Sequence, residues 1–111
     1  MNVGNWNFTI QQGSTFNQLM QFTDLDGNVI NITGYTVTIT CQTFKGSGVT
    51  LFTWAASSGI TVTGTQGLVE IDIDEAVTAA YAFSIGYQTT EMTDGTDTFR
   101  IMQGNVYLDK E

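Results

Sequence analysis

Alternation of apolar and polar residues is the dominant pattern along this chain, and it is clearest in the stretch YTVTITCQTF. Tyr35, Val37, Ile39 and Cys41 fall on one side of this stretch, with threonine at the positions between them. A period of two residues predicts a strand with one buried side and one side facing solvent. Because Cys41 shares the apolar side and the chain has no histidine to activate a thiolate, it is predicted to be a core thiol.

Further strands are predicted before and after this one in the sequence, each bounded by turn residues. LVEIDI places Val69, Ile71 and Ile73 on one side and acids on the other. VTLFTW is apolar on both sides, which predicts either a strand covered twice or a strand whose outer side meets a partner. We assign Phe52 to the core, whereas Trp54 fits either interpretation. The remaining strands are predicted at WNFTI, TFNQLMQFT, ITVT, residues 81–89 and residues 98–108.

The stretch DEAVTAA, residues 74–80, is the one helix-like piece of the sequence, and it predicts a helical turn or two. Asp74 is predicted to cap the N-terminus of this turn, because a carboxylate oxygen can accept from the first free N–H groups. Val77 and Ala80 are three residues apart and therefore share a side of the helix. These two residues are predicted to dock the turn against the rest of the protein.

The last predicted strand changes its alternation partway along. Phe99 and Ile101 share one parity, whereas Val106 and Leu108 share the other, so a β-bulge at Gly104 is predicted to restore the core side. Seven or eight short antiparallel strands with one helical turn predict an all-β sandwich of two packed sheets. With 111 residues and no internal linker or repeat, the chain is predicted to be a single domain over residues 1–111.

Charge and composition argue against several classes of function. The net charge is −8 with only three basic residues, so nucleic acid and anionic membranes are not expected as partners. The absence of histidine excludes a Ser–His–Asp triad and a Cys/His zinc site. The polar N-terminus lacks the features of a signal peptide, and no apolar run is long enough to span a membrane. The sequence therefore predicts a protein that is not an enzyme and needs no cofactor.

The stretch DLDGN raises the question of a calcium site, because Asp24 and Asp26 are alternate carboxylates in a loop. An EF-hand requires a glutamate at the twelfth loop position, where this chain has Tyr35. A turn with Gly27 at positive φ explains the same residues. We predict the turn, and a calcium ion shared with the TDGTD loop is the alternative.

Three segments together resemble a known family. The motifs are turn glycines, a core alternation and an aspartate-to-alanine helical turn, and they cover most of the chain. They are similar to the small immunoglobulin-like β-sandwich domains of tailed-phage structural proteins, in particular the N-terminal domain of the phage baseplate upper protein family. The matching segments are FTDLDGNVINITGYTVTIT (residues 22–40), GITVTGTQGLVEIDIDEAVTAAYAF (residues 59–83) and FRIMQGNVYL (residues 99–108).

The resemblance implies an immunoglobulin-like β-sandwich that serves as a virion structural protein without catalytic residues. In that family the domain docks a fibre or receptor-binding protein onto the virion. Here the domain is expected to be the entire chain, hence a multi-copy adaptor of the tail, baseplate or neck, assembled in the bacterial host cytoplasm with other virion proteins as partners. A capsid decoration protein is the first alternative. A carbohydrate-binding module that uses Trp6 or Trp54 is the second.

Three stretches are interface candidates. Residues 1–6, which include Val3 and Trp6, are predicted to form an N-terminal arm that orders only against a neighbouring subunit. The acidic stretch of residues 91–97 is predicted to form a hairpin loop that seeks a basic partner surface. Its candidate residues are Glu91, Asp94 and Asp97. Trp54, at the end of its strand, is the third candidate.

Overall fold

The computed structural model describes residues 4–44 and 47–110, which form nine strands and one short α-helix. The strands are β1 (Gly4–Asn5), β2 (Phe8–Gln11), β3 (Phe16–Gln21), β4 (Thr36–Phe44), β5 (Ser47–Trp54), β6 (Ile60–Thr63), β7 (Leu68–Ile73), β8 (Ile85–Thr93) and β9 (Thr98–Asp109). The helix α1 (Glu75–Ala79) lies between β7 and β8, and single 3₁₀ turns at Ala56–Ser58 and Gly64–Gln66 stand on either side of β6.

The strands form two sheets. The larger sheet has the order β1, β9, β8, β4, β5, with β2 also paired to β9, and the smaller sheet has the order β3, β7, β6. The predicted all-β, sandwich-like fold with one short helical element is confirmed. The expectation of purely antiparallel strands is wrong, because β1 and β2 run parallel to β9. No hairpin joins the first segment to the last strand, so no turn imposes an antiparallel direction on them.

The core contains the apolar sides that the alternation predicts. Val37, Ile39 and Cys41 of β4 are buried, and so are the three predicted residues of β7. Phe52 of β5 is buried with 8% of its surface exposed, which confirms its assignment to the core. Thr36, Thr38 and Thr40 lie on the opposite side of the strand and are partly or fully exposed. Strand position and burial therefore follow the period-two pattern closely in β4 and β7.

Trp54 also belongs to the core, with only 2% of its surface exposed. Its ring centroid lies 4.3 Å from that of Phe52 and 5.3 Å from that of Phe16. Its indole Nε1 donates a hydrogen bond of 2.9 Å to the hydroxyl of Tyr81. A covered ring with a satisfied N–H leaves no face for a sugar or a partner. The interpretation of Trp54 as an interface residue is therefore wrong.

The N-terminal segment is held along β9. The Trp6 backbone N–H donates to the Gln103 carbonyl oxygen at 2.9 Å, and the Trp6 carbonyl oxygen accepts from Nε2 of Gln88 at 2.9 Å. Residues 4–6 are therefore ordered against their own chain, which corrects the prediction that they order only against a neighbour. Val3 lies outside the described residues.

Gly104 provides the space for this contact. A Cβ atom at Gly104 would overlap the Trp6 carbonyl oxygen and the side chain of Asn7. The predicted bulge is not at Gly104, because Gly104 pairs regularly with Gln88. The pairing of β8 with β9 shifts instead between Thr90 and Glu91, which leaves Ile101 as the additional residue of β9.

The helix α1 is capped as predicted but docks differently. The Asp74 carboxylate accepts a 2.9 Å hydrogen bond from the Glu75 N–H. Val77 is 46% exposed and Ala80 is exposed, so the prediction that these two residues dock the turn is wrong. Thr78 is buried in their place. Its Oγ1 docks the helix by donating to the Ser14 carbonyl oxygen at 2.8 Å and accepting from the Gly13 N–H at 3.1 Å.

Strand β8 begins at Ile85 and ends at Thr93, about four residues later than predicted. Residues 80–84 run irregularly between α1 and β8. Tyr81 and Phe83 of this segment pack against Phe52, with ring centroids at 5.3 and 6.0 Å. Aromatic packing at the end of the sandwich thus replaces strand pairing in this segment.

We expect Gly104→Ala to lower the free energy of unfolding by about 1–3 kcal/mol, the usual cost of overpacking. The added methyl would meet backbone atoms of Trp6, which cannot move without breaking the pairing of β1 with β9. Gly4→Ala is the matched control, because its Cβ makes only ordinary contacts with Ile101 and Met102. Urea unfolding followed by tryptophan fluorescence measures both variants, and equal stabilities would contradict the role of Gly104.

Candidate docking surfaces

An apolar cleft lies at the end of the sandwich where residues 22–35 meet the hairpin of β8 and β9. Its volume is about 120 Å³. That is well below the roughly 300–1,000 Å³ of typical small-molecule pockets, so the cleft fits one apolar side chain of a partner. We call it the end cleft, and it is lined by Phe22, Ile30, Asn31, Ile32, Tyr35, Met92 and Phe99.

Backbone hydrogen bonds position both walls of the end cleft. The Ile30 N–H donates to the Phe22 carbonyl oxygen at 2.9 Å and closes the loop between them. The Ile32 N–H donates to the Gly64 carbonyl oxygen at 2.8 Å, which holds this wall against the 3₁₀ turn that joins β6 and β7 of the smaller sheet. The other wall belongs to the larger sheet, where two lining residues of β8 and β9 are direct cross-strand partners. The end cleft therefore lies between the two sheets.

Large apolar side chains are exposed at the end cleft and next to it. Ile30 is 40% exposed and Phe99 is 37% exposed, while Val29 beside them is 45% exposed and Leu25 projects fully into solvent. Single exposed apolar residues are ordinary, but two partly exposed ones that line the same cleft, Ile30 and Phe99, are typical of an interface. These residues were not among the predicted interface candidates. The local signal was the apolar stretch NVINI directly after the acidic turn.

Acidic turns flank the end cleft. Asp94 and Asp97 lie in the turn between β8 and β9, just beyond the strand residues that line one wall. Asp24 and Asp26 lie in the loop of residues 22–30, whose ends line the other wall. All four side chains are exposed. An apolar cleft whose lining segments carry four exposed acids is complementary to an apolar side chain that stands beside lysine or arginine.

The stretch DLDGN forms the predicted turn. Oδ1 of Asp24 accepts hydrogen bonds of 2.9 Å from the N–H groups of Asp26 and Asn28. Gly27 has φ +86°, which favours glycine. Asp24 thus binds its own backbone, as aspartate does in such turns. Within residues 4–44 and 47–110, no three potential ligands among histidine, cysteine, aspartate and glutamate group together around a metal position.

The turn between β8 and β9 has the same chemistry. Oδ1 of Asp94 accepts 2.8 Å hydrogen bonds from the N–H groups of Asp97 and Thr96. These bonds hold the pKa of the Asp94 carboxyl below its ordinary value. The carboxylate therefore keeps its charge while it orders the turn, and the turn presents that charge to solvent.

Glu91 does not lie in this turn. β8 continues to Thr93, and Glu91 stands opposite Arg100 of β9. The loop is therefore confined to residues 94–97, which corrects the predicted loop of residues 91–97. The neighbouring Met92 is buried, so Glu91 lies on the outer side of the larger sheet. Of the predicted acidic candidates, Asp94 and Asp97 lie in the turn and Glu91 lies within β8.

The two tryptophans offer little aromatic surface. Trp6 is partly buried and lies 4.4 Å from Phe8, measured between ring centroids. A wider groove of about 590 Å³ lies between the end of β5 and α1, and Trp54 belongs to its wall. Since Trp54 exposes only 2% of its surface, it contributes almost no stacking face to this groove.

Comparison of the sequence with protein-family models gives no match, and comparison with curated proteins gives no significant match. In the part of the chain that the structure describes, no helix is both long enough and apolar enough to span a membrane.

Cys41 is a core thiol, as predicted. It is fully buried, and a Cβ atom on Gly86 would contact its Sγ atom. Burial raises the pKa of the Cys41 thiol from 9.0 to about 12, and a backbone hydrogen bond at Tyr87 partly opposes this increase. A protonated, inaccessible thiol is neither a nucleophile nor a redox group.

The buried thiol makes stability dependent on alkaline pH. The unfolded thiol ionises above pH 9.0, whereas the folded thiol stays protonated up to about pH 12. We therefore expect its contribution to the free energy of unfolding to be complete below pH 9.0 and to be lost towards pH 12. The slope for this one proton is at most about 1.4 kcal/mol per pH unit.

Urea unfolding from about pH 8 to about pH 10 tests this expectation. Cys41→Ala is the control, since it is less stable throughout but lacks the thiol. The expected result is a steeper loss of stability with pH in the natural chain than in the variant. Parallel pH profiles for the two proteins would rule out a titrating Cys41.

Proposed function

We propose that this chain is a non-enzymatic structural protein of a bacteriophage virion, an adaptor in the tail, baseplate or neck that docks other virion proteins. The resemblance of its motifs to tailed-phage sandwich domains supports the assignment to a virion. The end cleft carries the docking role, because Ile30 and Phe99 expose apolar surface at an opening between the two sheets. The partner is a virion protein segment with an apolar side chain next to lysine or arginine.

The size of the end cleft argues for assembly in several copies. Burial of one apolar side chain stabilises a complex by about 1.5–3 kcal/mol. Micromolar affinity requires about 8 kcal/mol, so one filled cleft holds a partner only weakly. Several subunits in a ring engage a multivalent partner together and raise the overall affinity without any new kind of contact. A virion ring provides that arrangement.

Charge supports the choice of a basic partner. The chain carries a net charge of −8, and four of its acids flank the end cleft. Such carboxylates raise the rate of association with a basic surface and discriminate against acidic ones. Exposed charges are screened by salt, so association with the partner is expected to slow as ionic strength rises.

Copy number in purified particles distinguishes the adaptor from a capsid decoration protein. We expect the chain, co-expressed with the phage structural proteins, to enter particles in a ring stoichiometry on the order of ten copies. Quantitative mass spectrometry against a known capsid protein measures this number. Hundreds of copies would assign the chain to the capsid shell. Absence from particles would contradict the virion proposal and direct attention to glycan binding at Trp6.

Removal of the apolar wall tests the end cleft itself. We expect Phe99→Ser to abolish or strongly reduce incorporation into particles, because it removes a partly exposed ring from the cleft. Val77→Ser is the matched control, since Val77 is 46% exposed on α1 and lies outside the cleft. Circular dichroism and thermal unfolding verify that both variants fold. Equal incorporation of the two folded variants would exclude the cleft as the docking site.

Neutralisation of the acidic turns tests the charge of the partner. Asp24→Asn and Asp94→Asn keep an Oδ1 acceptor for the turn N–H groups and remove only the charge. The double variant is expected to fold normally and to bind its partner more slowly at low salt. Its association rate should also depend less on ionic strength. An unchanged rate and salt dependence would contradict a basic partner.

A further inference from the structure

The edge strands of the two sheets differ in how readily another chain can pair with them. In the described part of the chain, β5 ends the larger sheet, but its pairing with β4 shifts register twice. At the opposite edge of that sheet, β1 and β2 are two short, separate strands. In the smaller sheet, the edge strand β6 has only four residues. Bulges and short strands hinder pairing with another chain. Strand β3 has neither feature, since its six residues pair with β7 without a shift.

Strand β3 is also uncharged and accessible. Its sequence FNQLMQ contains no ionisable residue and no proline. Asn17, Gln18 and Leu19 are exposed in succession, and Leu19 is 57% exposed. Gln18 lies on the same side of the sheet as the buried Ile71, yet it is exposed. Both sides of the sheet are therefore open to solvent at this edge.

The backbone of β3 has hydrogen-bonding groups that point away from β7. The Phe22 N–H donates to the Gly67 carbonyl oxygen at 2.9 Å, at the end of the β3–β7 ladder. In an antiparallel strand the backbone N–H and C=O groups of successive residues point alternately to the two sides of the strand. Those of the even-numbered residues of β3 therefore point towards β7. The N–H and C=O groups directed to the free edge are those of Asn17, Leu19 and Gln21. The Leu19 carbonyl oxygen accepts a long hydrogen bond of 3.4 Å from Nε2 of its exposed neighbour Gln18, and an added strand would displace that side chain.

We propose that β3 is a self-association edge, at which a second copy of this chain adds its own β3 in the antiparallel direction. The two three-stranded sheets then form one continuous sheet with the order β6-β7-β3-β3-β7-β6. Main-chain hydrogen bonds supply most of the attraction in such strand addition, and side chains set the register. The proposal concerns the purified chain alone and does not depend on the virion adaptor.

The register follows from the side chains. Opposed residues in an antiparallel pair lie on the same side of the sheet, so odd-numbered residues of β3 must face odd-numbered ones. A two-fold axis at Leu19 pairs the outward groups of all three edge residues in each copy. It places Leu19 against Leu19 of the second copy and Asn17 against Gln21 of the second copy. An axis at Gln18 would leave the Gln21 groups unpaired.

Charge favours a second copy at this edge over other places on the surface. Two chains of net charge −8 repel each other, and β3 is an edge without ionisable groups. The nearest acids are Glu70 and Asp72 on β7, which pair with Leu19 and Asn17. In the continuous sheet the two copies of Glu70 stand three strand spacings apart, about 14 Å. That separation exceeds the Debye length of about 8 Å at physiological ionic strength, so their repulsion is screened.

Disulfide trapping tests the register. With the axis at Leu19, the two Leu19 Cα atoms lie about 5.5 Å apart, within reach of a disulfide. Leu19→Cys is therefore expected to give a covalent dimer under mild oxidation, at least about tenfold more than Asn17→Cys. The two Asn17 positions lie about 14 Å apart in this register, beyond disulfide reach. The native Cys41 is buried and does not compete. No dimer, or equal dimer from both variants, would overturn the register.

Sedimentation equilibrium of the natural chain tests the association itself. The expected result is a dimer whose dissociation constant rises about tenfold or more in Leu19→Lys. Val77→Lys adds the same charge at another exposed apolar residue and is expected to leave the dimer intact. A monomer throughout the micromolar to millimolar range, or equal weakening by both variants, would overturn the proposal. Neither result bears on incorporation into particles, so the adaptor proposal stands or falls separately.

Discussion

The close approach of the Trp6 carbonyl oxygen to Gly104 is the contact on which the arrangement of the first and last strands depends. Only a residue without a side chain leaves space for this carbonyl oxygen, and Nε2 of Gln88 donates a hydrogen bond to it. Thr90 in turn donates to the Gln88 side-chain oxygen at 2.7 Å, so this buried amide is satisfied at both ends. Buried polar groups that are fully paired stabilise one arrangement over its alternatives. This anchor lies between β1 and β2, the two strands that pair in parallel with β9.

The anchored N-terminal segment brings Phe8 into the aromatic cluster that fills one end of the sandwich. Phe8 lies 5.1 Å from Phe16 and 5.9 Å from Trp54 between ring centroids. Towards the opposite ends of β8 and β9 lies the end cleft, where Ile30 and Phe99 stay partly exposed. The aromatic cluster thus closes one end of the protein, whereas apolar surface of Ile30 and Phe99 stays exposed at the other.

The positions of the acidic residues are compatible with both proposed contacts, one at the end cleft and one at β3. The acidic turns beside the end cleft bond one carboxylate oxygen to their own backbone and still present their charge to solvent. They favour a basic neighbour at that end. Strand β3 carries no charge, so a second acidic copy can approach there.

Local patterns determined much of the fold and part of the candidate site. Alternation located β4 and β7, and short-range backbone bonding located the Asp24 turn and the Asp74 cap, since each depends on residues close in sequence. Tertiary structure decided the burial of Trp54, the docking of α1 through Thr78, the bulge at Ile101 and the place of Glu91 in β8. It also assembled the end cleft from segments about seventy residues apart. These features depend on register and on distant partners, which a period of two residues leaves undetermined.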